Sequence, residues 1–265
     1  MKIIFANLIQ PQKIILKIIR RIIFYYKLIK YNQNLFENKQ NKIFTTLKLN
    51  RKKGIRNLNL YLRTRRSMSS EHEVLFSSIS INSNISINDI LEIGTYDGSN
   101  ALLLSKLFPN SKIDTIDLPQ DDDDFVNFYN RKNIIKKFIN ERNNNLSKNN
   151  NIKFLEFNSL KLLNHKKKYD LIWIDGSHGY PIVCMDIINS LKLINREGII
   201  ICDDIYLNLD YFNSDKMYHS IASYETLNEL QKNNLITYKL IYKRLNPESN
   251  CLAYNRKFVA IVKKI

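Results

Sequence analysis

The stretch that most constrains the fold is LEIGTYDGSNALLL, residues 91–104. An apolar strand (Ile90, Leu91, Ile93) breaks at Gly94 and Gly98 and resumes as an apolar helix from Ala101 to Phe108, which Pro109 ends. The two glycines remove side chains where the backbone must turn and a ligand can approach it, and Ser99 is expected to cap the helix. A strand, a tight turn and a helix in this order suit a nucleotide-like ligand. Asp117 ends the next apolar strand (113–118), 23 residues after Gly94, where an acid can accept both ribose hydroxyls.

A dinucleotide turn requires G-x-G-x-x-G, but Tyr96 stands at the second glycine position and no third glycine follows in time. The pattern E-x-G-x-Y-x-G, made by Glu92, Gly94, Tyr96 and Gly98, instead resembles the first motif of class I S-adenosylmethionine-dependent methyltransferases, above all their catechol O-methyltransferase-like branch. The resemblance implies that Glu92, Gly94, Tyr96, Gly98 and Ser99 form the loop at the methionine part of the cofactor. It implies that Asp117 holds the ribose and that Ser159, after the third strand, contacts the adenine. The fold so implied is α/β, a Rossmann-like seven-stranded mixed sheet with helices on both faces, preceded by a basic helical N-terminal extension.

A second block, YDLIWIDGSHGY followed by GIIICDD, places Asp175, Asp203 and Asp204 at the carboxyl ends of two apolar strands, the edge where ligands bind in an open parallel sheet. Three carboxylates so close oppose one another's ionisation unless a cation offsets them. Hard oxygen ligands favour Mg²⁺ or another divalent cation. This layout again resembles the catechol-type enzymes and the sugar and macrolide O-methyltransferases, which hold a divalent metal there. Ser177 replaces an acid common at that position in the branch, so His178 is the expected base, with His219 second.

The formal net charge of +16 is not spread over the chain. Residues 1–67 carry 17 Lys and Arg against the single acid Glu37, while residues 68–265 carry 24 against 24. The catalytic-looking part is neutral, which does not suit a nucleic-acid groove. From Lys13 to Lys30 the residues Ile14, Ile15, Ile18, Ile19, Ile22, Tyr25, Tyr26 and Ile29 share one helical face, with Lys13, Lys17, Arg20, Arg21 and Lys27 opposite. Such a helix can lie on an anionic membrane surface, or pack on the catalytic domain or a second subunit. A polar connection is expected from Tyr31 to Ser67, with a domain boundary near residue 67, so that residues 68–265 fold alone.

The remaining signals are weaker. His72 sits between Glu71 and Glu73 and reads as a solvated surface group; Asp121–Asp124 read as a solvated loop. Cys184, Cys202 and Cys251 form no CxxC pair and suit a reducing compartment. No stretch is apolar enough to span a membrane, and a cytoplasmic protein, peripheral at the inner face of a membrane, is expected.

The function expected is S-adenosylmethionine-dependent, Mg²⁺-dependent O-methylation of a hydroxyl on a small molecule, sugar or glycan, with Asp175 and His178 catalytic. The alternatives are an RNA methyltransferase using the basic N-terminus and a non-catalytic membrane-associated nucleotide-binding module. A homodimer is a further expectation.

Overall fold

The computed structural model describes residues 11–62, 70–127, 134–208, 220–251 and 256–265. Seven strands form one sheet in the order β3-β2-β1-β4-β5-β7-β6. Strands β1 (Asp89–Ile93), β2 (Lys112–Asp117), β3 (Ile152–Glu156), β4 (Tyr169–Ile174) and β5 (Ile194–Ile205) run parallel. The C-terminal hairpin adds β6 (Ile236–Tyr242) and β7 (Phe258–Lys264), with β7 antiparallel to both neighbours. Chain direction in β6 therefore matches that of β1–β5, and its carboxyl end reaches the same edge.

The central strands β4 and β5 carry continuous apolar runs, Leu171–Ile174 and Ile199–Cys202, because helices cover both faces. Successive residues point to opposite sides. Ile90, Ile113, Leu171, Trp173 and Ile201 pack on one face beneath α4 (Glu71–Ser80) and α5 (Ser99–Leu107). Leu91, Ile93, Ile172, Ile174 and Ile200 pack on the other beneath α8 (Ile182–Leu193) and α9 (Ala222–Lys232). After β2 come the five-residue α6 (Asp123–Asn127) and the longer α7 (Ile135–Leu146), and the five-residue α10 (Pro247–Cys251) lies between β6 and β7. Asp122 accepts the backbone N–H of Asp124 at 2.9 Å, so this acidic run starts a helix.

The expected polar connection from Tyr31 to Ser67 is helical over most of its length. After α1 (Pro11–Ile29) come α2 (Gln33–Thr46) and α3 (Arg51–Tyr61), capped by the side chains of Asn32 and Asn50. Phe44, Leu49 and Leu58 are buried in the same core as Val74, Leu104 and Trp173. Buried Gln40 pairs with the backbone of Tyr242 in both directions, accepting its N–H at 3.0 Å and donating to its carbonyl at 3.1 Å, which ties α2 to the outer strand β6. A division near residue 67 thus separates segments that share one core. These helices are hard to read in the sequence because only a few widely spaced residues on each are buried.

Candidate active site

The loop after β1 is held from both sides. Gly94 adopts φ +100°, and a Cβ there would lie 2.3 Å from the carbonyl oxygen of Asp175, so the glycine is required by the close approach of β4's end. Gly98 (φ +72°) occupies the N-cap position of α5, which Ser99 was expected to fill. Ser99 is instead the first helical residue, and its N–H donates to Asp97 at 2.9 Å. Tyr96 is also left-handed (φ +49°) and stacks edge-on against Phe138.

Asp117 locks that turn. Its carboxylate accepts the N–H of Tyr96 at 2.9 Å and of Leu118 at 2.8 Å. A carboxylate is the type of group that the expected ribose contact requires. Glu92, expected at the cofactor, is completely buried below the loop. Its carboxylate accepts from Asn100 at 2.7 Å and Thr115 at 2.5 Å, and burial pushes its pKa up to about 7. It acts on the site by fixing Asn100, a residue the sequence did not single out.

A cavity of about 230 Å³ opens beside the loop, lined by Gly94, Tyr96, Asn100 and Asp175 together with Tyr61 of α3 and His72 of α4. His72 is not the solvated group expected. Its ring lies 4.8 Å from that of Trp173, its Nδ1 is shielded without a partner, and burial lowers its pKa to about 4. Ser159 begins a six-residue 3-10 helix (Ser159–Asn164) after β3 and is not among the residues lining this cavity. His219 lies outside the described residues.

The strand ends beyond the cavity do bring Asp175, Asp203, Asp204 and His178 together, but with two lysines among them. The Lys243 ammonium donates to Asp203 Oδ2 at 2.5 Å and to Asp204 Oδ1; Lys257 donates to Asp204 Oδ2 at 2.6 Å. Burial opposes the charge on Asp204, yet the two ammoniums overcome it and hold the carboxyl well below the usual range. Asp175 faces the other way: burial and the neighbouring Asp203 push it well above that range. His178 Nε2 stands 3.6 Å from Asp175 Oδ1 and 3.9 Å from Asp204 Oδ2, and burial lowers its pKa, leaving it neutral at pH 7.

The expected Mg²⁺ site is not supported by this geometry. Three of the four carboxylate oxygens of Asp203 and Asp204 already hold ammonium groups; Asp203 Oδ1 is buried without a partner, but on a carboxylate that Lys243 occupies. Among the described residues no group of three or more His, Cys, Asp or Glu is arranged to hold a metal ion. Asp203 and Asp204 do have an offsetting cation, as their place at the strand ends beside Asp175 implied. The chain supplies it from residues 39 to 53 positions away from Asp204.

The sheet and its flanking helices form a Rossmann-like methyltransferase fold, and residues 91–205 match the family Methyltransf_24, described as a methyltransferase domain. Among solved structures the chain is similar to the SAH-bound Podospora anserina methyltransferase PaMTH1, at 18% identity and a TM-score of 0.51 over 80% of this chain and 88% of that one. It is also similar to the O-methyltransferase TomG from Streptomyces achromogenes, solved with SAM, at 13% identity and a TM-score of 0.51 over 88% and 99%. Comparison with curated proteins gives no match.

Proposed function

We propose that this protein is an S-adenosylmethionine-dependent O-methyltransferase acting on a hydroxyl of a small molecule, sugar or glycan. The observation that carries the reading is a neutral imidazole, His178, 3.6 Å from Asp175, a residue that also lines the cavity at the Gly94 loop. The residues present fit the cofactor: Asp117 offers a pinned carboxylate for a diol, and the Tyr96–Asn100 turn walls an open cavity. When bound there, the cofactor supplies a methyl group on a sulfonium. The Gly94 loop and Asp117 would orient it. His178 would take the acceptor's proton, with Asp175 turning the imidazole toward it, and holding both reactants at attack distance would supply much of the rate.

Calorimetry with S-adenosylhomocysteine tests the cofactor assignment: tight binding is expected, weakened by Asp117→Ala. Binding of NAD with none of S-adenosylhomocysteine would overturn it. Labelled cofactor added to cell extract would then identify the acceptor. RNA is disfavoured by the even charge balance of residues 68–265.

We infer further that α1 rests on an anionic bilayer. Ile15, Ile18, Ile22, Tyr25, Tyr26 and Ile29 are all more than half exposed. The helix meets α10 of the domain, and its half-buried residues Leu16, Arg20, Phe24 and Leu28 lie on the opposite side. Among the described residues, then, nothing covers the apolar face. The charge of residues 1–67 complements acidic lipid, and no described helix is long and apolar enough to cross a membrane. Full-length protein should co-sediment with phosphatidylglycerol-containing vesicles, less so in high salt, and Ile18→Glu with Ile22→Glu should abolish it. Equal binding by that variant, or self-association of the wild type that the same changes dissolve, would overturn this.

A further inference from the structure

We propose that Lys243 and Lys257 are a built-in replacement for a divalent cation at this centre, so that methyl transfer proceeds without metal and the acceptor is an already acidic hydroxyl of the phenol type. The second half rests on the O-methyltransferase reading above; the first does not.

The topology carries both lysines to the site. Lys243 follows the last residue of β6 and Lys257 precedes the first of β7. The register pairs Tyr242 with Phe258, and the Lys243 N–H donates to the Lys257 carbonyl at 2.9 Å, so the two lysines face each other across the open end of the hairpin. Because β6 runs with β5, that end lies at the carboxyl edge where β4 and β5 leave their acids. The position is fixed from a third side: the Lys243 carbonyl accepts from the Glu71 N–H at 2.8 Å and from the Ser70 hydroxyl at 3.2 Å, at the start of α4.

The chemistry follows from what those ammoniums occupy. A divalent cation of the Mg²⁺ type requires carboxylate oxygens at about 2.0–2.1 Å in near-octahedral array. Here Asp203 Oδ2 and both oxygens of Asp204 are engaged by Lys243 and Lys257, and a dication beside them would sit against two positive charges. The lysines offset two of the three acids. The third, Asp175, is turned to the cavity and to His178, where a proton is to be moved.

Without a metal ligated to its oxygen, the acceptor hydroxyl keeps its own acidity. A phenol, with a pKa of about 10, lies within reach of an imidazole base, whereas an aliphatic alcohol is closer to the 15.7 of water. The centre therefore selects phenol-type hydroxyls over sugar alcohols.

The test begins with full-length protein stripped with EDTA and titrated with MnCl₂ and MgCl₂, followed by calorimetry and thermal unfolding, with S-adenosylhomocysteine as a separate titration. No saturable metal binding and no rise in Tm are expected at millimolar metal. Lys243→Met, which releases Asp203 and one oxygen of Asp204, should gain Mn²⁺ binding, seen as a Tm rise of about 2–4 °C. Saturable Mn²⁺ binding to the wild type, lost in Asp203→Asn, would overturn the proposal whether or not the Met variant folds. S-adenosylhomocysteine failing to bind would sink the enzymatic reading and leave the metal result standing. For the acceptor, phenols and sugars are supplied with labelled cofactor under EDTA. Label on phenols is expected; label on sugars alone, or none, overturns the acceptor class.

Discussion

Arg51 grips Glu71 with two prongs, Nε to Oε2 at 2.7 Å and Nη2 to Oε1 at 2.8 Å, and both side chains are about nine-tenths buried. This pair joins α3 to the first turn of α4, whose N-cap residue Ser70 holds the Lys243 carbonyl. The N-terminal helices are therefore mechanically connected to the site.

Removing one member of such a buried pair leaves the other charge stranded, so Arg51→Ala should destabilise the protein by about 3–5 kcal/mol. Urea unfolding measures it; a loss below about 1 kcal/mol would mean the pair is solvated in solution.

Truncation gives a graded result. Deleting residues 1–30 removes α1 and should leave S-adenosylhomocysteine binding intact, whereas deleting 1–67 strips Phe44, Leu49 and Leu58 from the core and Tyr61 from the cavity wall. The shorter chain should expose apolar surface and bind a hydrophobic dye. A soluble, cooperatively folding 68–265 fragment with unchanged affinity would contradict this.

Glu92 gives a pH signature. Its folded pKa, up to about 7, lies above the unfolded value, so the folded state holds the extra proton between those values and stability falls as pH rises through that window. Glu92→Gln should flatten this dependence and be more stable at pH 8, by about 1–3 kcal/mol. Parallel pH profiles for the two proteins would disprove the assignment.

His178 has the opposite sign. Burial depresses its folded pKa, so its contribution is complete above the unfolded value and is lost as pH falls through the lower folded one. Imidazole NMR should show a titration below 6.5 that vanishes in His178→Ala. With an acceptor in hand, the same change should slow turnover by about 10²–10⁴. A midpoint at or above 6.5 would remove the neutral base.

Gly94→Ala should cost about 1–3 kcal/mol for the left-handed backbone alone. The added Cβ also pushes on Asp175, so stability and S-adenosylhomocysteine affinity should drop together. A loss of affinity at full stability would mean the glycine serves the ligand and not the packing.

The alternation of strands and helices from residue 89 onward, the glycine turn and the three acids near strand ends are all legible in the residues alone. Those features are local: apolar periodicity sets the element, and Gly94, Gly98 and Asp117 act within one βαβ unit. The residues alone also imply that the acids need a cation. Tertiary structure decided which cation, because Lys243 and Lys257 lie 39 to 53 residues beyond Asp204 and reach it only through the register of β6 on β7. The same holds for Glu92, which strand alternation and the packing of α5 turn away from the cavity, and for α2 and α3, whose few buried side chains acquire a core only when the sheet supplies the other half.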